Sequence, residues 1–159
     1  MMVSNLRIGI DFHGVITDNP IFFRDFTKLA IEKGHEIYII SGGPSAEEKK
    51  FLDEYQIGYT TIFSLLDYFD KRGLVKYSRN GKFRVSDKLW DKAKAEYCRI
   101  HDISIQIDDT ARYAENFSTP FCLYNPSETA CIVCGEPLIF KDSPSKTLEA
   151  LEKYLSSRK

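Results

Sequence analysis

The segment Leu6-Arg7-Ile8-Gly9-Ile10-Asp11-Phe12-His13-Gly14-Val15-Ile16-Thr17-Asp18 constrains the fold more than any other part of the chain. A short apolar run of strand type (Leu6, Ile8, Ile10) stops on a carboxylate, and a glycine, a β-branched pair and a second acid follow. Such a pattern reads as a buried strand running into a tight loop. A carboxylate at the C-terminal end of a buried strand stands at the crevice where open α/β sheets bind ligands. Asp11 is therefore a candidate for chemistry, although alone it would read better as a loop acid that caps or meets solvent.

Two later segments change that balance. Glu36-Ile37-Tyr38-Ile39-Ile40 is a second strand-type run and ends on Ser41-Gly42-Gly43, while Ile103-Ser104-Ile105-Gln106-Ile107 ends on Asp108-Asp109. Between the first two, residues 20–33 carry Phe22, Phe23, Phe26, Leu29 and Ala30 at helical spacing, and Gly34 stands where a helix C-cap would. Another helix is expected from about Ser45, with Glu47 and Glu48 in its first turn and Phe51, Leu52 and Tyr55 inward. Residues 57–63 read as the next strand. Alternation of this kind implies parallel pairing with right-handed crossovers.

The pattern then breaks. Residues 75–78 and 82–85 flank Arg79-Asn80-Gly81, a hairpin signal. A helix from Ser86 or Asp87 to about Arg99 should turn Trp90, Ala93, Tyr97 and Ile100 inward. Phe121-Cys122-Leu123-Tyr124 reads as a short strand, residues 126–135 as irregular, and Leu138-Ile139-Phe140 as an edge strand. Residues 145–156 form a closing amphipathic helix with Leu148, Leu151 and Leu155 inward. The expected architecture is one domain over residues 1–159: a three-layer α/β/α Rossmann-like fold with a mainly parallel central sheet, a small β-hairpin insertion and no large cap domain.

Three strands that each deliver a small polar or acidic group at the same end resemble the haloacid dehalogenase-like superfamily of phosphoryl-transfer enzymes. The likeness covers residues 6 to about 118. It implies that Asp11 is the nucleophile that becomes aspartyl-phosphate. It further implies Mg²⁺ held by Asp11, the His13 carbonyl and Asp108 or Asp109, a hard-oxygen set that suits this ion. Ser41, with the amides of Gly42 and Gly43 near a helix N-terminus, would bind a phosphoryl oxygen. The required lysine is Lys94, Lys92 or Lys88 in that order, because Lys94 has Tyr97 and Cys98 at helical offsets. One departure matters: where the family has an acid that protonates the leaving group, this chain has His13. An imidazole exchanges protons near neutral pH and could serve. His13 in place of the acid could equally mark a relative that keeps metal and phospholigand binding but has lost efficient turnover. A nucleotidase-like phosphatase is a further alternative.

Composition sets limits on partners. At 43% apolar and 28% charged residues the chain is of globular type, and a net charge of -1 gives no dominant nucleic-acid or membrane-surface field. The basic residues Lys71, Arg72, Lys76, Arg79, Lys82 and Arg84 read as a solvated face. No apolar run has the length of a membrane helix, and the absence of a signal-peptide pattern points to a cytoplasmic protein. The expected partner is a small phosphorylated substrate, at a site left open or covered by a second copy in a homo-oligomer. Cys131-Ile132-Val133-Cys134 has half of a zinc-site spacing and reads more simply as core or turn cysteines.

Overall fold

The computed structural model describes residues 5–126, 130–133 and 136–157. Its sheet is built on strands β1 (Arg7–Ile10), β2 (Glu36–Ser41) and β3 (Thr61–Ser64), then β6 (Ile105–Asp108) and β7 (Phe121–Asn125). These five run parallel in the order β3-β2-β1-β6-β7. Strands β8 (Ala130–Val133) and β9 (Glu136–Ile139) extend the sheet antiparallel beyond β7. Helices α1 (Pro20–Glu32), α2 (Ser45–Glu54), α3 (Leu65–Lys71), α4 (Asp87–Ile100) and α5 (Pro144–Ser157) flank it, and β4 (Lys76–Tyr77) pairs with β5 (Phe83–Arg84) as a separate hairpin. This is the expected Rossmann-like α/β fold without a large cap. No helix among the described residues is long and apolar enough to cross a membrane.

Local chemistry accounts for the element ends. Asn19 caps α1 by accepting from the Phe22 amide, and Pro20 at the first helical position gives up no needed donor. Gly34, at φ 92°, closes the helix, with the Gly34 amide donating to Ile31 and the His35 amide to Ala30. That bond pair is a Schellman cap, which requires the left-handed conformation.

Strand alternation then sorts the side chains onto two faces. Ile8, Ile10, Ile37, Ile39, Ile105 and Ile107 join one core with Phe22, Phe23 and Phe26 of α1 and Leu148 and Leu151 of α5. Phe23 stacks on Phe140 at 5.9 Å between ring centres and lies 6.2 Å from Tyr124. A fully buried phenylalanine of this kind stabilises by roughly 1.5–3 kcal/mol. Ile40, Cys98 and Ile103 form the second core, on the α4 side of the sheet.

Several expectations need correction. The strand expected over 57–63 begins only at Thr61; at Thr60 the amide donates to the Ile37 carbonyl, but the Ile37 amide goes to the Thr60 hydroxyl in place of a strand carbonyl. Helix α3 was not expected at all. Residues 126–135 are not irregular throughout, since Ala130–Val133 pairs with the β7 edge, Leu123 opposite Ile132. On α4 the inward stripe is rotated. Ala93, Lys94, Ala95 and Cys98 are buried, whereas Trp90 and Tyr97 are half-buried and Ile100 is 64% exposed. The side chains of Cys131 and Cys134 lie outside the described residues, and Cys98 and Cys122 are buried.

Candidate active site

The path of the chain makes the crevice. From β1 it moves outward through β2 to β3, and from α4 it returns to the other side of β1 as β6, so order reverses between β1 and β6. Ligands of open α/β sheets bind at such a point, outside the carboxyl ends of the strands. Asp11 follows the last residue of β1 and its amide donates to the Ile107 carbonyl at 2.9 Å, which fixes its backbone beside the end of β6.

Parity then decides which helix each polar group meets. Ile8 and Ile10 face α1, so Asp11 faces α4, and so do Gln106 and Asp108. Lys94 of α4 lies between the two acids, with Nζ 3.0 Å from Asp11 Oδ1 and 2.6 Å from Asp108 Oδ2. All three are buried. Gln106 donates to Asp108 Oδ2 at 3.1 Å, and the Thr110 amide donates to Asp108 Oδ1 at 3.1 Å. Charge-assisted bonds of this type orient a carboxylate firmly. Lys94 also stands 5.1 Å from the centre of the Tyr113 ring, whose hydroxyl accepts from Trp90 Nε1 at 2.8 Å.

Among the three candidate lysines, Lys94 is the one that reaches the acids. Lys88 and Lys92 are exposed, and Lys92 lines a cavity of about 320 Å³ on the outer side of α4. The place given to Lys92 as a phosphate ligand is therefore corrected: two residues along a helix turn a side chain to the far side.

Asp109 is half-buried and approaches from the other direction. An added Cβ on Gly14 would fall 2.1 Å from Asp109 Oδ2, and Gly14 has φ 83°. Only glycine therefore fits the loop that carries Asp11 past Asp109. One carboxylate oxygen from each of Asp11, Asp108 and Asp109 lies within 4.8 Å of the others. Neighbouring oxygens in the octahedral shell of Mg²⁺ stand about 3 Å apart, so these three hard donors suit the ion and would draw closer around it. Burial, opposed by Lys94 and reinforced by Asp108, holds the Asp11 carboxyl above its ordinary value. Lys94, buried between two acids, is held firmly in its charged form. His13 is exposed at the rim, its ring edge-on to Phe12 at 4.9 Å.

Ser41 has the opposite parity and meets α2. It is fully buried, and its hydroxyl donates to Glu48, with Oγ 2.5 and 2.6 Å from the two carboxylate oxygens. The Gly43 amide also donates to Glu48. The hydroxyl and one of the amides expected to receive phosphate are thus engaged by a carboxylate of the chain itself. Burial pushes Glu48 up to about 7, against the pull of Ser41, Gly43 and Lys94. The N-terminus of α2 has an acid on it too, since Asp67 accepts from the Ser45 hydroxyl and amide. An added Cβ on Gly42 would meet the Trp90 ring at 3.4 Å, and one on Gly43 would fall 1.8 Å from Ser64 Oγ.

Glu48 and Gln106 are the residues that sequence reasoning missed. Gln106 had a visible signal, a lone amide inside the isoleucine run of β6. Glu48 had none separate from Glu47, because both read as acids that complement a helix N-terminus. No protein-family model, no curated protein and no solved structure matches this chain.

Proposed function

We propose that this protein is a Mg²⁺-dependent phosphatase that works through an aspartyl-phosphate on Asp11. The observation that carries the reading is the meeting of Asp11, Lys94, Asp108 and Asp109 at the β1/β6 crevice. An Asp11 oxygen attacks phosphorus in line with the leaving oxygen, the phosphorus–oxygen ester bond breaks, and the freed alcohol oxygen takes a proton. Water then attacks the aspartyl-phosphate, releasing inorganic phosphate and restoring Asp11. Lys94 neutralises phosphoryl charge and keeps Asp11 in place. His13 is the proton donor on the leaving-group side and then accepts the proton of the attacking water. Asp11, Asp108, Asp109 and the His13 carbonyl would hold Mg²⁺, which would offset phosphoryl charge and favour the ionised form of Asp11.

Two observations favour a second reading, a phospholigand binder that turns over slowly or not at all. His13 is exposed, and the Ser41 hydroxyl is already given to Glu48. One experiment separates them: a panel of phosphomonoesters assayed with and without Mg²⁺ against wild type, Asp11→Asn, His13→Ala and His13→Asp. The phosphatase reading expects Mg²⁺-dependent turnover that Asp11→Asn abolishes and His13→Ala lowers by roughly 10²–10⁴-fold. Inert wild type with an active His13→Asp would establish the binder. Mg²⁺ binding with no hydrolysis by either form would end the hydrolase assignment.

A further inference from the structure

We propose that the β4–β5 hairpin and the outer face of α4 bind single-stranded nucleic acid, and that the phosphoryl group brought to Asp11 is the terminal phosphate of such a strand. The second clause rests on the phosphatase reading, whereas the first stands on its own observations.

The charge is segregated. Residues 71–86 hold six cations (Lys71, Arg72, Lys76, Arg79, Lys82, Arg84) and no Asp or Glu, in a chain whose net charge is -1. All six are exposed. A solvated face, the reading that composition suggests, mixes both signs. Residues 71–86 carry one sign only, with Asp70 accepting from the Tyr77 hydroxyl at their edge, and β4 and β5 pair as a two-stranded ribbon separate from the main sheet. A run of like charge costs self-repulsion that a polyanion removes.

Exposed rings stand among these cations. Tyr77 and Phe83 are cross-strand partners, 58% and 41% exposed, so they share one face of the ribbon. The ring surface continues toward the crevice. Phe83 lies 5.7 Å from Trp90, and Trp90 packs beside Gly42 and bonds to Tyr113, the ring beside Lys94. Between α3 and α4, the cavity of about 320 Å³ has walls of Phe63, Tyr68 and Tyr97, with Lys92 and Glu96 on its α4 side and the Arg72 guanidinium 3.6 Å above the Tyr68 ring. Cations that track a phosphate backbone beside rings that stack bases are the two parts of a sequence-tolerant single-strand site. A membrane surface fits less well, because the ribbon tip is polar, with Ser78 bonded to Asn80.

The test is fluorescence anisotropy of a labelled, 5′-phosphorylated oligothymidylate 12-mer with the full chain, at several salt concentrations. Engagement of Lys76, Arg79, Lys82 and Arg84 should give a log–log salt slope of about -2.8, so roughly 50-fold weaker binding at 200 than at 50 mM salt. Arg79→Glu/Lys82→Glu changes exposed residues at the tip, and it should reduce the slope by about 1.4. Tyr77→Ala should weaken binding roughly fivefold or more through lost stacking. Both variants should keep the wild-type Tm and wild-type turnover of p-nitrophenyl phosphate, while release of phosphate from the oligonucleotide falls. Binding that is absent, independent of salt or indifferent to both variants overturns the surface, as does tighter binding to phosphatidylserine vesicles than to the oligonucleotide. Hairpin-dependent binding without turnover of any phosphomonoester supports the surface and overturns the phosphatase reading instead. Turnover of small phosphomonoesters with no binding of the 12-mer overturns the surface alone.

Discussion

Replacing Glu48 by Gln should stabilise the protein above neutral pH and remove part of its pH dependence. Glu48 is fully buried, and its carboxyl is pushed from 4.5 up to about 7, chiefly by burial. Between those two values the folded protein binds a proton that the unfolded chain does not, so stability falls as pH rises from 4.5 toward 7. The loss is complete above 7. At about 1.4 kcal/mol per pH unit, the difference amounts to roughly 3 kcal/mol. Gln imitates the protonated acid: its carbonyl can accept from the Gly43 amide and its NH₂ can donate to Ser41 Oγ. It carries no charge to desolvate at any pH.

The measurement is Tm of both proteins from pH 5 to 8. The two should lie close together at pH 5, and the variant should melt roughly 6–12 °C higher at pH 8, given about 2–4 °C per kcal/mol at this chain length. Taking the difference cancels Asp11, which titrates in both proteins. A gap equal at pH 5 and pH 8 would refute a change of protonation at Glu48. A variant less stable at pH 8 would show that the ionised carboxylate is worth more to the Ser41 and Gly43 donors than its burial costs.

The same arrangement predicts a kinetic effect: KM for a phosphomonoester should fall in Glu48→Gln at pH 8 and converge with wild type by pH 6, read from initial rates. Lys94→Met leaves Asp11 and Asp108 buried without their cation and should cost about 3–5 kcal/mol by urea unfolding, with millimolar Mg²⁺ restoring part of it. Undiminished stability in that variant would mean the pair is protonated throughout. Gly14→Ala should lose roughly 1–2 kcal/mol to its left-handed backbone and, by displacing Asp109, weaken Mg²⁺ binding measured by calorimetry. Wild type should gain Tm with Mg²⁺, by about 2.7 kcal/mol of stability at a hundredfold excess over Kd, and Asp11→Asn should not.

What the sequence made legible follows from the range of the forces involved. Strand-type runs ending on Asp11, Ser41 and Asp108 were readable because burial writes itself into consecutive residues, and the crevice rule supplied their common end. Lys94 was readable as a helical offset from Cys98. The rotated face of α4 was not, since Trp90, Tyr97 and Ile100 are as apolar as core residues and only the sheet decides which stripe it covers. Helix α3 was hidden for a related reason: Leu65-Leu66-Asp67-Tyr68-Phe69 is too short for its period to stand out from a strand continuation. Ser64 settles the matter by capping it, accepting from the Asp67 amide, a bond between residues three apart whose value depends on where β3 stops.

Parity explains the deeper division in the site. Asp11 and Asp108 sit an odd number of residues from isoleucines that face α1, so they meet Lys94 on α4. Ser41, two residues beyond Ile39, falls on the side of α2 and meets Glu48. The crevice therefore gathers four carboxylates, Asp11, Asp108, Asp109 and Glu48, around one ammonium among the described residues. Burial is the main reason that both Asp11 and Glu48 hold their protons above the ordinary range, and at Asp11 the neighbouring Asp108 adds to it. A dianionic phosphoryl group entering that crowd adds to the repulsion unless a divalent cation enters too. Cation and phosphate should consequently bind with positive coupling, the cation relieving the β1/β6 side while Glu48, protonated or displaced, frees Ser41 and Gly43 on the β2 side.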